Sequence, residues 1–342
     1  MHNRNPALDL LRSLAILSVL LLHSRELLQD APYSLMYIFS YGWIGVDLFF
    51  VLSGFLIGLQ SFKDNSKSPV LTFIIKRTFR TLPLYYTVLL FYVLVKPALG
   101  FPFNESPLPF VFFIQNFFSL KDFVQSWSLC IEEQFYFLFP LVFFNFKLKK
   151  INPLIWLLPG LFSVFYRFYL YRSGADAATL PGVAYNYQFI TLTHLDGLSW
   201  GVFLASTYDR WSAFKSKKFF GLTGIILFFL TLTYIKPTNF NSPVVLSFQL
   251  LAISFSLILV GVYDWKRIIF QKGFEHIALY SYGLYLWNNL VARVLGKIFP
   301  HMNNVSKFFL FIVTSFAVSI ATYYIIERPF MKLRSQVLKK IS

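Results

Sequence analysis

Residues 8–28, LDLLRSLAILSVLLLHSRELL, are long enough to cross a bilayer as a helix, yet they carry Arg12 near the start and His23 near the end. At 1.5 Å rise per residue, a helix of this length spans about 30 Å, the thickness of the hydrocarbon core. An Arg inside such a span costs roughly 2.5–3.5 kcal/mol on insertion scales, so an ionisable residue kept there reads as functional. The separation between Arg12 and His23 covers about 16 Å along the axis, half of the hydrocarbon.

Composition extends this reading to the whole chain. Of 342 residues, 56% are hydrophobic and only 13% charged, with a mean hydropathy of +0.59. Soluble domains carry about 25% charged residues, so a polytopic all-α membrane protein is expected and a soluble globular one excluded. The net charge of +16 does not indicate nucleic acid, because the basic residues sit in short clusters between apolar runs. The single cysteine, Cys130, lies in an apolar stretch, which excludes an intramolecular disulfide and a cysteine-based metal site and predicts a small buried hydrophobe. No metal site is expected.

Ten runs satisfy the length of a span: 8–28, 41–61, 82–100, 126–146, 152–172, 188–208, 219–236, 243–263, 277–298 and 307–326. With the N-terminus inside, the inner segments collect 21 Lys and Arg and the outer segments 8. Both termini are therefore expected in the cytoplasm, with residues 1–342 forming one membrane domain. The longest non-spanning stretch, 97–125, holds an apolar piece, 110–118, too short to cross. It fits a re-entrant or interfacial helix over an outer-facing site as well as it fits an aromatic surface helix.

Counting inward from the outer helix ends places His23, Asp47, Glu132, Glu133, His194, Asp196 and Asn288 at similar depth, most of them roughly 8–15 Å below the outer surface. Separate interhelical hydrogen bonds would explain any one of them. Their common level predicts a shared polar chamber built by five helices. Arg167 fits either that chamber or a side chain reaching out to the interface.

Nearer the cytoplasm lies a second set. Arg12 sits at the inner end of the first helix, and Arg77 and Arg80 sit in the loop before the third, ahead of Pro83. Two Arg three residues apart on one helical face suit phosphate oxygens, although plain positive-inside charge gives the same pattern. Ser53 and Gly54 occupy the inner half of the second helix, where Gly admits a neighbouring helix or a slender ligand. Glu327, ahead of Arg328 and Pro329, closes the tenth helix and is placed to pair with Arg77 or Arg80.

These residues carry a resemblance. Residues 8–12 leading to His23 resemble the Arg-x10-His signature of the membrane acyltransferase 3 family, and 42–57 (GWIGVDLFFVLSGFLI) resembles its second-helix motif. Residues 77–80 look like its RxxR element, 127–136 (WSLCIEEQFY) is similar to its WSLxxEEQFY stretch, and 327–329 resembles its terminal motif. Two features depart from the pattern: Asn288 stands where many members have His, and the soluble esterase-like C-terminal domain of many relatives is not expected here. The resemblance implies a membrane-only O-acyltransferase of the bacterial cytoplasmic membrane. It would use acyl-CoA, acetyl by default, as donor substrate with no tightly bound cofactor, and a glycan or lipid-linked saccharide as acceptor.

Acylating a hydroxyl requires a base. His23 has the suitable side chain, with Asp47 expected to orient its ring and Glu132 to act beside them. Arg12, Arg77, Arg80, Ser53 and Gly54 are expected to hold acyl-CoA, and Glu133, His194, Asp196 and Asn288 the acceptor. The first helix then forms one wall of a path for the acyl donor. A covalent acyl-enzyme route fits the same residues. A transporter is the competing class, since acids and His within spans also make proton relays, but the chain shows no pair of broken helices in matching halves and no internal repeat.

Overall fold

Asn5 starts the first helix, α1 (Pro6–Ser24): its side-chain oxygen accepts the backbone N–H groups of Ala7 at 2.9 Å and Leu8 at 3.3 Å. Pro6 follows where no N–H is needed. The computed structural model describes residues 4–28, 31–118, 120–173, 189–234 and 244–341, and every regular element among them is helical. The longer helices after α1 are α2 (Ile44–Lys63), α3 (Pro69–Leu90), α4 (Trp127–Asn145), α5 (Leu158–Arg172) and α6 (Asp196–Ser206). They continue with α7 (Lys217–Tyr234), α8 (Val244–Val262), α9 (Gln271–Ile298), α10 (Asn304–Thr322) and α11 (Arg328–Ile341).

Among the described residues, seven helical stretches are long and apolar enough to cross a membrane: Pro6–Leu27, Tyr33–Lys63, Pro69–Ala98, Pro153–Arg172, Lys217–Tyr234, Val245–Val262 and Asn304–Ile341. The sequence predicts ten. At the three other expected positions, α4 and α9 are long but rich in polar residues, and α6 has 11 residues, about 16 Å of helix. Residues 188, 235–236 and 243, at the ends of three expected spans, lie outside the described residues.

The beginning of the third helix differs from expectation. Arg77 and Arg80 lie within α3, not in a loop before it, and the helix continues through Pro83. The polar residues of 76–81 end the apolar run in the sequence, but in the bundle they line cavities, so the helix does not stop where the hydropathy falls.

Residues 42–58 hold the centre of the bundle, because α2 and the turn before it meet α1 on one side and α6 on the other. A Cβ at position 45 would stand 2.3 Å from the Ala15 carbonyl oxygen, and one at position 54 would stand 2.2 Å from that of Leu198. Only glycine allows helices this close. From α6, Gly201 returns the contact: a Cβ there would lie 2.4 Å from the Val51 carbonyl oxygen.

The stretch between α3 and α4 docks on the bundle through a few buried residues, while Leu108, Phe112, Phe117 and Phe118 stay exposed. Its short helix Leu108–Val111 and turn Gln115–Phe117 bury Phe110, Gln115 and Asn116. The Phe110 carbonyl accepts from Tyr85 Oη at 2.9 Å, and that of Phe113 accepts from Gln134 Nε2 at 2.6 Å. Gln134 lies two turns into α4, so the segment penetrates beside that helix, and side chains satisfy the backbone groups that lipid would leave unpaired. Lys96 anchors the segment through Asp122 at 2.6 Å, and Asp122 also accepts the Asn104 N–H at 2.7 Å.

Candidate functional site

Arg12, Arg77 and Arg80 converge with Ser53, Glu132 and Tyr136 on a cavity of about 130 Å3 between α1, α2, α3, α4 and α9. Helical spacing explains the convergence: Arg77 and Arg80 are three apart on α3, and Glu132 and Tyr136 four apart on α4, so each pair shares a face. Ser53 donates its hydroxyl to Glu132 Oε1, and Tyr136 Oη donates to Ser53 Oγ at 3.1 Å. The Arg77 guanidinium lies 5.3 Å from the centre of the Tyr136 ring. Among the described residues, Arg12 and Arg77 have no carboxylate within salt-bridge distance.

A wider cavity of about 550 Å3 shares Arg12, Arg77 and Arg80 and adds Gln60, Lys76 and Arg334. It forms a cationic mouth beside the narrow chamber, with the three arginines bordering both spaces. Glu327 pairs with Arg80 at 3.6 Å, one of the two partners expected for it, and Lys76 lies 3.9 Å from Asp64. Glu133, next in sequence to Glu132, faces a third cavity of about 340 Å3 between α3 and α4, edged by Phe112 and Phe137.

The expected single chamber divides into separate groups. Asp47 does not reach His23; its Oδ1 lies 2.7 Å from Nε2 of His194, both buried. Phe50 separates this pair from the narrow cavity, which it lines, and packs with its ring 5.2 Å from the imidazole. Arg167 grips Asp196 with two hydrogen bonds, at 2.7 and 2.9 Å, and is buried rather than reaching outward. His23 instead meets Asn289 of α9, with 3.3 Å between Nδ1 and Nδ2. Counting from helix ends missed this division because depth along a helix does not fix which way each side chain turns, and because α6 begins only at Asp196.

Two further expected site residues stand away from the cavity. Gly54 is filled by the Leu198 backbone, so its small size serves the α2–α6 contact. Asn288 turns onto its own helix, donating to the carbonyls of Leu284 at 2.8 Å and Tyr285 at 2.7 Å. Cys130 is fully buried.

Sequence reasoning passed over Tyr136, Asn289, Arg334 and the Ser128–Tyr285 pair. Tyr136 was within reach, since it lies one helical turn after Glu132. Ser128 Oγ and Tyr285 Oη are 2.5 Å apart at the wall of the narrow cavity, a pairing of α4 and α9 that no local pattern signals.

A cationic cavity beside a narrower one that carries hydroxyls and a carboxylate marks the centre of this helical bundle. The chain belongs to the family described as the acyltransferase domain, whose model matches residues 5–324. It is 32% identical over 167 residues to the O-acetyltransferase OatA of Staphylococcus aureus (strain NCTC 8325), covering 43% of this chain and 26% of that protein. A provisionally named O-acetyltransferase of Staphylococcus aureus (strain COL) is 26% identical over 369 aligned positions, covering 96% of this chain and 57% of that protein. The chain thus spans little more than half of that relative's length and about a quarter of OatA's. No solved structure matches it.

Proposed function

We propose that the protein is an integral membrane O-acyltransferase that takes an acyl group, acetyl by default, from cytoplasmic acyl-CoA. It passes the group to a hydroxyl of a glycan or lipid-linked saccharide across a bacterial cytoplasmic membrane. The observation that carries this reading is the joining of a five-cation mouth to a narrow chamber through the shared Arg12, Arg77 and Arg80. Acyl-CoA has the matching shape: a phosphate-bearing nucleotide on a slender thioester arm. Guanidinium groups suit the phosphates because their planar donors bind oxygens in pairs. The names of the relatives favour O-acetylation.

In this reading the nucleotide stays in the mouth, and the arm enters between α1 and α4 toward Ser53 and Glu132. The acceptor hydroxyl approaches from the other face. Its oxygen forms a bond to the acyl carbon, the carbon–sulfur bond breaks, and the hydroxyl proton passes through a base to the departing thiolate. His23 is the base on the acceptor side. It meets Asn289, which lies one helical turn, about 6 Å, along α9 from Tyr285, so in this reading the Ser128–Tyr285 contact separates the donor chamber from His23. Glu132, held by Ser53 and Tyr136, orients the thioester end and relays the proton. A relay through an acyl-enzyme would use the same two compartments.

The test is mass spectrometry of cell-surface glycans and lipid-linked saccharides from cells with and without the gene. The reading expects one acyl increment, removed by mild alkali, only when the gene is present. Identical glycan profiles would count against it.

A further inference from the structure

We propose that α11 completes the nucleotide end of the donor site and that Arg334 binds the ribose 3′-phosphate of acyl-CoA. The proposal rests on the donor assignment above. Its starting point is size: the narrow chamber, about 130 Å3, admits only the arm, whereas the mouth, about 550 Å3, lies within the range of ligand pockets. Arg12, Arg77 and Arg80 line both spaces and so stand where arm and nucleotide join, beside the diphosphate. Arg334 lines the mouth but not the chamber, as Lys76 and Gln60 do, and stands there with Ser335 and Leu338 of the same helix. The part of the ligand farthest from the thioester, the 3′-phosphate, is assigned to it rather than to Lys76, the other cation that borders only the mouth, because Lys76 already lies beside Asp64.

The pattern of α11 supports a directed role. Arg328, Lys332, Lys339 and Lys340 are exposed, while Arg334 is half-buried on the face toward α3. Its Nε is buried without a hydrogen-bond partner, and no carboxylate among the described residues lies within salt-bridge distance of it. Arg80 has Glu327, and Lys76 has Asp64. Arg334, Arg12 and Arg77 thus gather at one opening with no carboxylate in direct contact and only Glu132 and Glu327 nearby, an arrangement whose mutual repulsion an entering anion relieves. A diphosphate and a monophosphate together supply that charge.

Calorimetric titration of the full chain in lipid nanodiscs, with CoA and with 3′-dephospho-CoA, tests the proposal. Wild type should bind CoA about tenfold more tightly, the scale of one charge-assisted phosphate contact. Arg334→Ala should remove that preference by weakening CoA alone, and Arg334→Lys should restore part of it. Lys332→Ala, on the exposed face, should leave both affinities unchanged and controls for altered charge on α11. A preserved preference in a monodisperse Arg334→Ala protein, or equal weakening of both ligands, would overturn the role of Arg334. Failure of wild type to bind either ligand would instead refute the donor assignment on which the proposal depends.

Discussion

Glu132 and His23 divide the proposed chemistry between two compartments, and single substitutions separate them. Glu132 is held by Ser53, itself held by Tyr136, so Glu132→Gln keeps the shape of the cavity and removes the charge. Turnover should fall about 100-fold, in the range typical of proton-transfer groups, while CoA affinity stays within a few-fold of wild type. His23→Ala should cause a loss of similar or greater size; near wild-type transfer in membranes supplied with acyl-CoA and acceptor would reject it as the base. Tyr285→Phe removes the hydroxyl shared with Ser128 and should raise acceptor-independent release of free CoA, measured by thiol titration. Glu132 and His23 stood out in the sequence as ionisable residues within spans, whereas Tyr136, the Ser128–Tyr285 pair and the partners of His23 and Asp47 did not. Pairing depends on helix rotation and offset, and α9 turns Asn289 toward His23 while Asn288 bonds its own backbone.

At the scale of elements, α2 is the part the sequence described best. Gly54 was read as a place for either a neighbouring helix or a slender ligand, and it was assigned to the ligand. The structure gives it to α6, and Gly54→Val should cost at least about 1–3 kcal/mol of overpacking, read as a lower melting temperature in detergent. The beginning of α3 was hidden because hydropathy marks contact with lipid, and a helix face lined by arginines toward an internal cavity looks like a loop. The segment between α3 and α4 depends on a buried ion pair. Removing one partner leaves the other charge unpaired, so Asp122→Ala should destabilise the protein by about 3–5 kcal/mol and increase proteolysis between α3 and α4.

At the scale of the molecule, composition and periodicity made the helical membrane class evident, and five short motifs distributed over residues 8–329 pointed to the family whose model matches 5–324. The joining of mouth and chamber was not visible in the sequence, because it requires α1, α2, α3, α4, α9 and α11 to meet, and only tertiary packing brings them together. The central claim is that this joined space receives the thioester of acyl-CoA for transfer to an envelope hydroxyl. The direct measurement supplies radiolabelled acetyl-CoA to membranes from cells expressing wild type, Glu132→Gln or no protein, and follows both free CoA and alkali-labile label in the glycan and lipid fractions. The account predicts matched CoA release and label incorporation with wild type, with both reduced about 100-fold in Glu132→Gln. Incorporation by wild type no greater than in membranes lacking the protein, with acceptor fractions present, would contradict it.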